Sequence, residues 1–364
     1  MSLHLSSLYT ALQTSLFPFL QETLGPLTDR EERFVRICEL ISIDKCMPHR
    51  GALTGRPLAL RTHIVRAFIA KALYNFSTTK ILREHLLRDA ILRNLCGWSG
   101  KRDVPSESTF SRAFADFAIT QLPSTIHETM VKTHCGPKLA GHISRDATAI
   151  EARERPKKTA KITVVAVKKK KGRPGKDEEP RQKDPTKLEL QLTRPLKDNL
   201  LDIPLLCDWG AKRDSKGNSY AWAGYKLHID TIDGDIPVST LLSSASMHDS
   251  QAAIPLAQLS AQRVTNLYDV MDAAYDSGCI REMSKRLNHV PVIDFNKRTG
   301  DKREFAPAEK IRYKERSSAE RVNSNLKDNF GGTTVRVKGA KKVMTHLMFG
   351  IVALTAEAIY RLLS

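Results

Sequence analysis

Three acidic residues draw attention because a sheet or helix can aim them, in a chain whose charge balance runs the other way. Asp146 lies in the strand-like stretch ISRDATAI, and Asp272 ends the strand-like NLYDVMD before the turn AAYDSG. Glu320 lies on the helical stretch YKERSSAERVNSNLKDNF. Carboxylates at strand ends and on an adjacent helix can converge on one point although they are far apart in sequence. Such a cluster suits Mg²⁺, which takes hard oxygen ligands. Two ions about 3.5–4 Å apart hold the attacking and leaving oxygens of an in-line phosphodiester displacement. Taken singly, Asp146 and Asp272 also read as turn or cap residues, and Asp249, after His248 at a helix start, reads as an N-cap. Asp269, Asp276 and Asp294 are rival ligands that periodicity does not reject.

The stretch around Glu320 carries a second pattern. At about 100° per residue, Tyr313, Arg316, Glu320 and Lys327 fall at about 0°, −60°, −20° and −40°, one narrow stripe of a helix over 313–329. Ala319, Val322, Leu326 and Phe330 form a neighbouring apolar stripe that faces a core. The polar stripe fits a cleft with Glu320 on metal and two cations on flanking phosphates. It equally fits a solvated face with i, i+4 support between Arg316 and Glu320.

Composition narrows the partners. The 364 residues hold 58 Lys or Arg against 40 Asp or Glu, a net charge of +18, so the expected partner is a polyanion. Apolar content of 41% and charged content of 27% exclude wholesale disorder. The six cysteines are scattered without a CxxC pair, which reads as reduced, mostly buried thiols rather than a zinc site. The longest apolar run, Leu347 to Ala356, is shorter than the roughly 20 residues a bilayer needs and reads as a core helix. No membrane partner is expected, and the amino terminus does not read as a signal peptide.

The elements that must position these residues divide into two textures. Residues 1–135 read as helical, with a capping box at Thr28 and Glu31, a helix at about Pro57 to Tyr74 and another at about Thr78 to Leu95. In TFSRAFADFAITQL, Phe110, Ala113, Phe114 and Phe117 make one apolar face. Two helices around the break GWSGKRDVPSES fit either a DNA-reading helix-turn-helix or an ordinary bundle in which Ser106 and Ser108 cap. Residues 136–364 read as a mixed α/β sheet flanked by helices: a hairpin turning at Asp233-Gly234, then strands alternating with helices, then the apolar helix from Lys342 to Leu363.

Between Arg153 and Lys187 lie fourteen Lys or Arg against five Asp or Glu, a net of +9 and half the charge of the chain. Its centre, KKKKGRPGKDEEP, has Gly and Pro and hardly any apolar residue to build a core, so a disordered basic insertion is expected at about 153–187. Lys171-Gly172-Arg173-Pro174 is similar to the AT-hook core, which lies in narrow minor grooves, although a solvated phosphate-neutralising loop has the same composition.

Tyr313-x2-Arg316-x3-Glu320-x6-Lys327 resembles, at all four positions and all three spacings, the YREK signature of a large group of bacterial insertion-sequence transposases. Asp272 in MDAAYDSG resembles the second acidic motif of that group, with Ala274 where relatives often have Gly, and Asp146 in SRDATAI resembles the first. The helical region around Gly55-Arg56-Pro57 and PSESTFSRAF is similar to the amino-terminal domain common in these enzymes. The resemblance implies a ribonuclease H-like catalytic domain over 136–364 and a helical DNA-binding domain over 1–135. It implies a DDE triad of Asp146, Asp272 and Glu320 that holds two Mg²⁺ ions, with Mn²⁺ able to substitute. Arg316, Lys327 and Tyr313 are then expected on DNA beside the cut, with Lys171 and Arg173 as further DNA contacts. The implied reaction is cleavage at the element ends, followed by attack of the freed 3′-hydroxyl on target DNA. The implied partners are double-stranded DNA and a second copy of the chain in a homodimeric synaptic complex. The expected location is the bacterial cytoplasm at the nucleoid. A catalytically inactive DNA-binding regulator derived from a transposase is the alternative, and a repair or recombination nuclease shares the carboxylates without accounting for the signature helix.

Overall fold

The computed structural model describes residues 26–47, 60–156, 184–213, 217–296 and 304–363. Lys171, Arg173 and Gly55-Arg56-Pro57 lie outside the described residues.

The helical region begins with α1 (Asp29–Ile41), opened by the expected capping box: the Thr28 N–H donates to Glu31 Oε2 at 2.7 Å. After a single turn at Ile43–Cys46 comes α2 (Arg61–Leu73), buried over most of its surface. The single helix expected over Thr78 to Leu95 is two, α3 (Thr79–Arg88) and α4 (Ala90–Cys96). Asp89 leaves the helical conformation to cap the second one, its Oδ1 accepting from Leu92 N at 2.9 Å. α5 (Glu107–Thr120) buries Phe110, Ala113, Phe114 and Phe117 as the spacing predicts, around Phe68 of α2. Residues 97–106 separate α4 from α5 with only a 3₁₀ turn (Lys101–Asp103) between, so these helices pack as a bundle rather than across a tight helix-turn-helix turn. α6 (Leu122–His134) completes the region.

The remainder is built on one six-stranded sheet: β1 (Leu139–Glu151), β2 (Asp208–Arg213), β3 (Ser219–Ile232), β4 (Ile236–Ser244), β5 (Thr265–Met271) and β6 (Val290–Ile293). β1 is central, antiparallel to β3 and parallel to β5, which is parallel to β6. The far edge of β3 serves two partners in succession, β2 along 219–224 and β4 along 225–232. The handover falls at Gly224, where an added Cβ would lie 2.1 Å from the Ile150 carbonyl oxygen of β1. The β3–β4 hairpin turns at Asp233-Gly234 as expected, with Gly234 at φ 81 and Asp235 at φ 60.

Between β1 and β2 lie two short helices that the sequence reading did not anticipate, α7 (Lys187–Thr193) and α8 (Leu196–Leu201). α9 (Ser250–Ala261) follows β4, and α10 (Gly278–Arg286) joins β5 to β6. The helix expected over 313–329 starts earlier and is interrupted. α11 (Pro307–Tyr313) passes through a 3₁₀ turn at Lys314–Arg316 into α12 (Ser317–Asn329). The chain then runs without regular structure to α13 (Ala340–Leu363).

Strand alternation fixes two working faces. Asp146 pairs with Ile229 and Arg145 with Asp230, so adjacent residues of β1 point to opposite sides. α9 covers the Arg145–Asp230 face, where Ser260 donates to Asp230 at 2.6 Å. α12 covers the Asp146 face. α13 is long and apolar enough to cross a membrane by length and composition, but 78% of its apolar window is buried inside the protein, as a core helix requires. It packs against α1, α2, α5, α6 and β4. One continuous apolar cluster therefore runs from Phe34 through Ile143 and Leu227 to Ile359.

Candidate active site

The parallel register of β1 and β5 brings the first two carboxylates together. The last paired residues are Ser144 and Val270, and Asp146 and Asp272 each lie two positions further on. Asp146 is partly buried, and its Oδ2 accepts from Asn323 Nδ2 of α12 at 3.0 Å. Asp272 sits where β5 gives way to the 3₁₀ turn Ala273–Tyr275, and its Oδ1 accepts from Ala274 N at 2.9 Å. Burial pushes both carboxyls above the usual range, and the charge of Asp272 raises Asp146 further. No described Lys, Arg or His lies within ion-pair distance of either.

α12 is pinned over these two strands by polar ties at its start. Ser144 Oγ of β1 donates to the Glu315 carbonyl at 2.6 Å. Ser318 Oγ donates to Asp235 in the hairpin turn at 2.7 Å, and Arg321 grips the same carboxylate through two nitrogens, at 2.9 and 2.7 Å. The apolar stripe lies as predicted: Ala319, Val322, Leu326 and Phe330 are all buried. Glu320 is the exposed member of the other stripe and pairs with Arg316 at 2.7 Å. Burial opposes the charge of Arg316, but Glu320, Tyr313 and Asp146 together hold it above its ordinary value. The same guanidinium lowers Asp272. Arg316 is thus within the field of all three carboxylates. Tyr313 stacks near Phe305, with ring centroids 4.8 Å apart, and burial pushes its hydroxyl up to about 12.

The structure brings Asp146 and Asp272 together, but it does not close Glu320 onto them. Among the described residues no three His, Cys, Asp or Glu side chains are close enough to hold one metal ion. The donors that do converge nonetheless suit a hard divalent cation. Both are carboxylates without an ion-pair partner among the described residues, and their burial favours whatever neutralises them. Glu320 would join this set by exchanging its ion pair with Arg316.

The rival acids have partners of their own. Asp269 is on the opposite face, 1% exposed, held by Asn266 at 3.0 Å and His289 at 3.3 Å. Burial alone would raise it, but His289 and Arg145 bring it below the ordinary carboxylate value. Asp276 is paired with Arg281 at 2.9 Å, and Asp294 accepts from Phe295 N at 2.8 Å. Asp249 stands at the N-cap position of α9 but makes no cap, because its Oδ1 is taken by Lys226 Nζ at 2.9 Å.

Lys327 is partly buried, and its ammonium is lowered first by burial and then by the field of Lys212. Lys212 of β2 also lowers Asp146 and Asp272, which makes it a third cation of this region, one that sequence reading missed. Asn323 was missed as well, although its position three residues after Glu320 puts it on the same side of the helix.

A mixed sheet with carboxylates on two neighbouring central strands, covered by a helix on that face, is the architecture of a ribonuclease H-like domain. Residues 140–356 match the Transposase DDE domain family, and residues 22–116 match a second family described as Transposase domain (DUF772). The first match spans more than half of the chain, which belongs to the DDE transposase family and is an insertion-sequence transposase. No curated protein and no solved structure gave a significant match.

Proposed function

We propose that this transposase binds the ends of its element as double-stranded DNA and catalyses metal-dependent strand cleavage and strand transfer there. The carrying observation is the pair of partly buried carboxylates without an ion-pair partner among the described residues, Asp146 within β1 and Asp272 at the end of the neighbouring β5, beneath α12 with Glu320 and Lys327 and the preceding turn with Arg316. Asp146, Asp272 and Glu320 would hold two Mg²⁺ ions, with Mn²⁺ as a substitute. When bound, Mg²⁺ lowers the pKa of water and neutralises charge that builds up on the attacked phosphate. Asn323 fixes the orientation of the Asp146 carboxylate, and the Ala274 N–H fixes that of Asp272. Arg316 contacts a phosphate beside the cut once Glu320 leaves it, Lys327 contacts the next stretch of backbone, and Tyr313 braces Arg316 from below. Lys171 and Arg173 would add phosphate contacts from the basic insertion. Two copies would act together in the synaptic complex, at the nucleoid in the bacterial cytoplasm.

The test is incubation of the purified chain with a plasmid carrying its gene and the flanking genomic DNA, in Mg²⁺ and in EDTA. Cleavage at both element ends is expected in Mg²⁺ alone. Asp146→Ala, Asp272→Ala and Glu320→Ala each abolish it while binding persists, since affinity resides in phosphate contacts elsewhere. Cutting by Asp272→Ala, with loss of cutting in a folded Asp269→Asn variant, overturns the choice of second ligand. Binding without any cleavage by the wild type would support the inactive regulator instead.

A further inference from the structure

A cleft of about 520 Å³ separates the helical region from the sheet region. α2 and the starts of α3 and α5 wall one side, and the segment after α12 and the start of α13 wall the other. Four cations line it, Lys71, Arg153, Arg336 and Lys342, against one carboxylate, Glu107. None of the four forms an ion pair with a described residue. Arg153 and Arg336 sit close together, Arg153 Nη1 donating to the Arg336 carbonyl at 3.4 Å. Lys71 is the deepest, its ammonium lowered to about 8 by burial. The hydroxyls of Ser77, Thr79 and Ser111 line the cleft between the charges, and the rings of Phe68, Phe114 and Phe349 close its floor.

Unpaired cations interleaved with hydroxyls over an apolar floor are the chemistry of a sugar–phosphate strand, with its regular anions, hydrogen-bond acceptors and apolar sugar faces. Two elements lead from the carboxylates to this cleft. β1 carries Asp146 and is followed by Arg153, and α12 carries Glu320 and ends at Phe330 on the cleft wall, with Lys327 between. The helix rise puts the cleft about 15 Å from Glu320. The strand rise puts it about 23 Å from Asp146. At about 3.4 Å per base pair this is some four to seven base pairs of duplex. Arg153 also opens the +9 run of the sequence, so the most basic stretch of the chain departs from this wall.

We propose that this cleft is a second DNA site, which grips the phosphate backbone of one strand of the duplex some four to seven base pairs from the scissile bond, through Lys71, Arg153, Arg336 and Lys342. The proposal rests on the reading of the chain as a DNA-cleaving transposase and adds where the flanking duplex is held. Its ligand is backbone rather than base edges, so its contribution is independent of sequence and sensitive to salt.

The test uses the full chain and a fluorescein-labelled random-sequence DNA duplex, with affinity followed by anisotropy over a salt series. Arg336→Gln combined with Lys342→Gln, both at exposed positions, is compared with Lys197→Gln combined with Lys285→Gln, exposed cations away from the cleft. The cleft pair is expected to bind about tenfold more weakly at physiological salt, with the slope of log affinity against log salt reduced by about 2. Both pairs keep the wild-type thermal midpoint. Equal behaviour of the two pairs overturns the cleft site, and if the wild type still cuts element ends the catalytic reading survives that failure. A wild type that binds no DNA duplex overturns both. Tighter binding of a double-stranded RNA of the same length, equally weakened in the cleft pair, overturns the assignment to DNA.

Discussion

The two faces of the central strands carry the same residue type in opposite circumstances. On the α9 face, Asp230 is gripped by Arg145 through two nitrogens at 2.7 Å and receives a further hydrogen bond from Ser260. Asp269 on that face has Asn266 and His289. On the α12 face, Asp146 has the Asn323 amide and the Ala147 N–H, Asp272 has the Ala274 N–H, and neither forms an ion pair with a described cation. Arg145 and Asp146 are consecutive, so neither composition nor position along the strand distinguishes the structural carboxylates from the available ones. Partnership does. Between Asp269 and the open pair the consequence is a difference of sign, with Asp269 held below its ordinary pKa while Asp146 and Asp272 are pushed above theirs; complete burial raises Asp230 as well, against the pull of Arg145.

The largest expected effect is on the paired face. Asp230→Ala leaves Arg145, 2% exposed, charged and without its hydrogen-bonded partner, with only the field of Asp269, and should lower unfolding stability by about 3–5 kcal/mol, read by denaturant melts. A loss below about 1 kcal/mol would show that the buried pair is not holding the sheet face together. Smaller is the effect of Arg316→Ala or Lys327→Ala on the open face. Each should slow cleavage or strand transfer at least tenfold, about 1.4 kcal/mol of barrier, with the melting curve almost unmoved. Near-wild-type transposition from both would reduce that stripe to a solvated face worth a few tenths of a kcal/mol.

The smallest effect is the sharpest comparison. Asp146 keeps its proton to higher pH in the native state than in the unfolded chain, so its charge costs native stability at neutral pH. Asp146→Asn should therefore raise the thermal midpoint at about pH 7, and the gain should vanish as pH falls through the native titration. Asp269 has the reverse sign: its stabilisation is present above its unfolded pKa and is lost as pH falls through the lower native value. Asp269→Asn should lower the midpoint at neutral pH. Midpoints that move in the same direction would erase the distinction between the faces.

Much of this was visible in the residues. The hairpin at Gly234, the apolar stripe through Ala319 and Leu326, the α5 core face and the burial of Leu347 to Ala356 all follow from local periodicity, which tertiary packing left intact. β2 was not visible, because DWGAKR pairs along a mostly exposed edge and shows no alternating apolar face. The break between α3 and α4 depends on Asp89 choosing a capping geometry, which no hydropathy pattern records. At the site, the three acids were singled out, but the rejection of Asp269 needed the strand register, since one residue of offset exchanges the faces. The ion pair that holds Glu320 apart from the other two was written in the i, i+4 spacing and carried no sign of whether the cleft or the pair would claim it.

The place of α13 in the core has a consequence for how the molecule comes into being. Phe34 and Phe68 belong to the same apolar cluster as Phe349 and Ile359, roughly three hundred residues away in the chain. Helices made early in synthesis therefore wait for an element made roughly three hundred residues later, and neither they nor the sheet can complete their packing beforehand. Until the ribosome has passed residue 363, the chain is a set of half-faced helices with its widest apolar surfaces open. A message cut short within α13 would yield material for proteases and chaperones rather than a shorter enzyme.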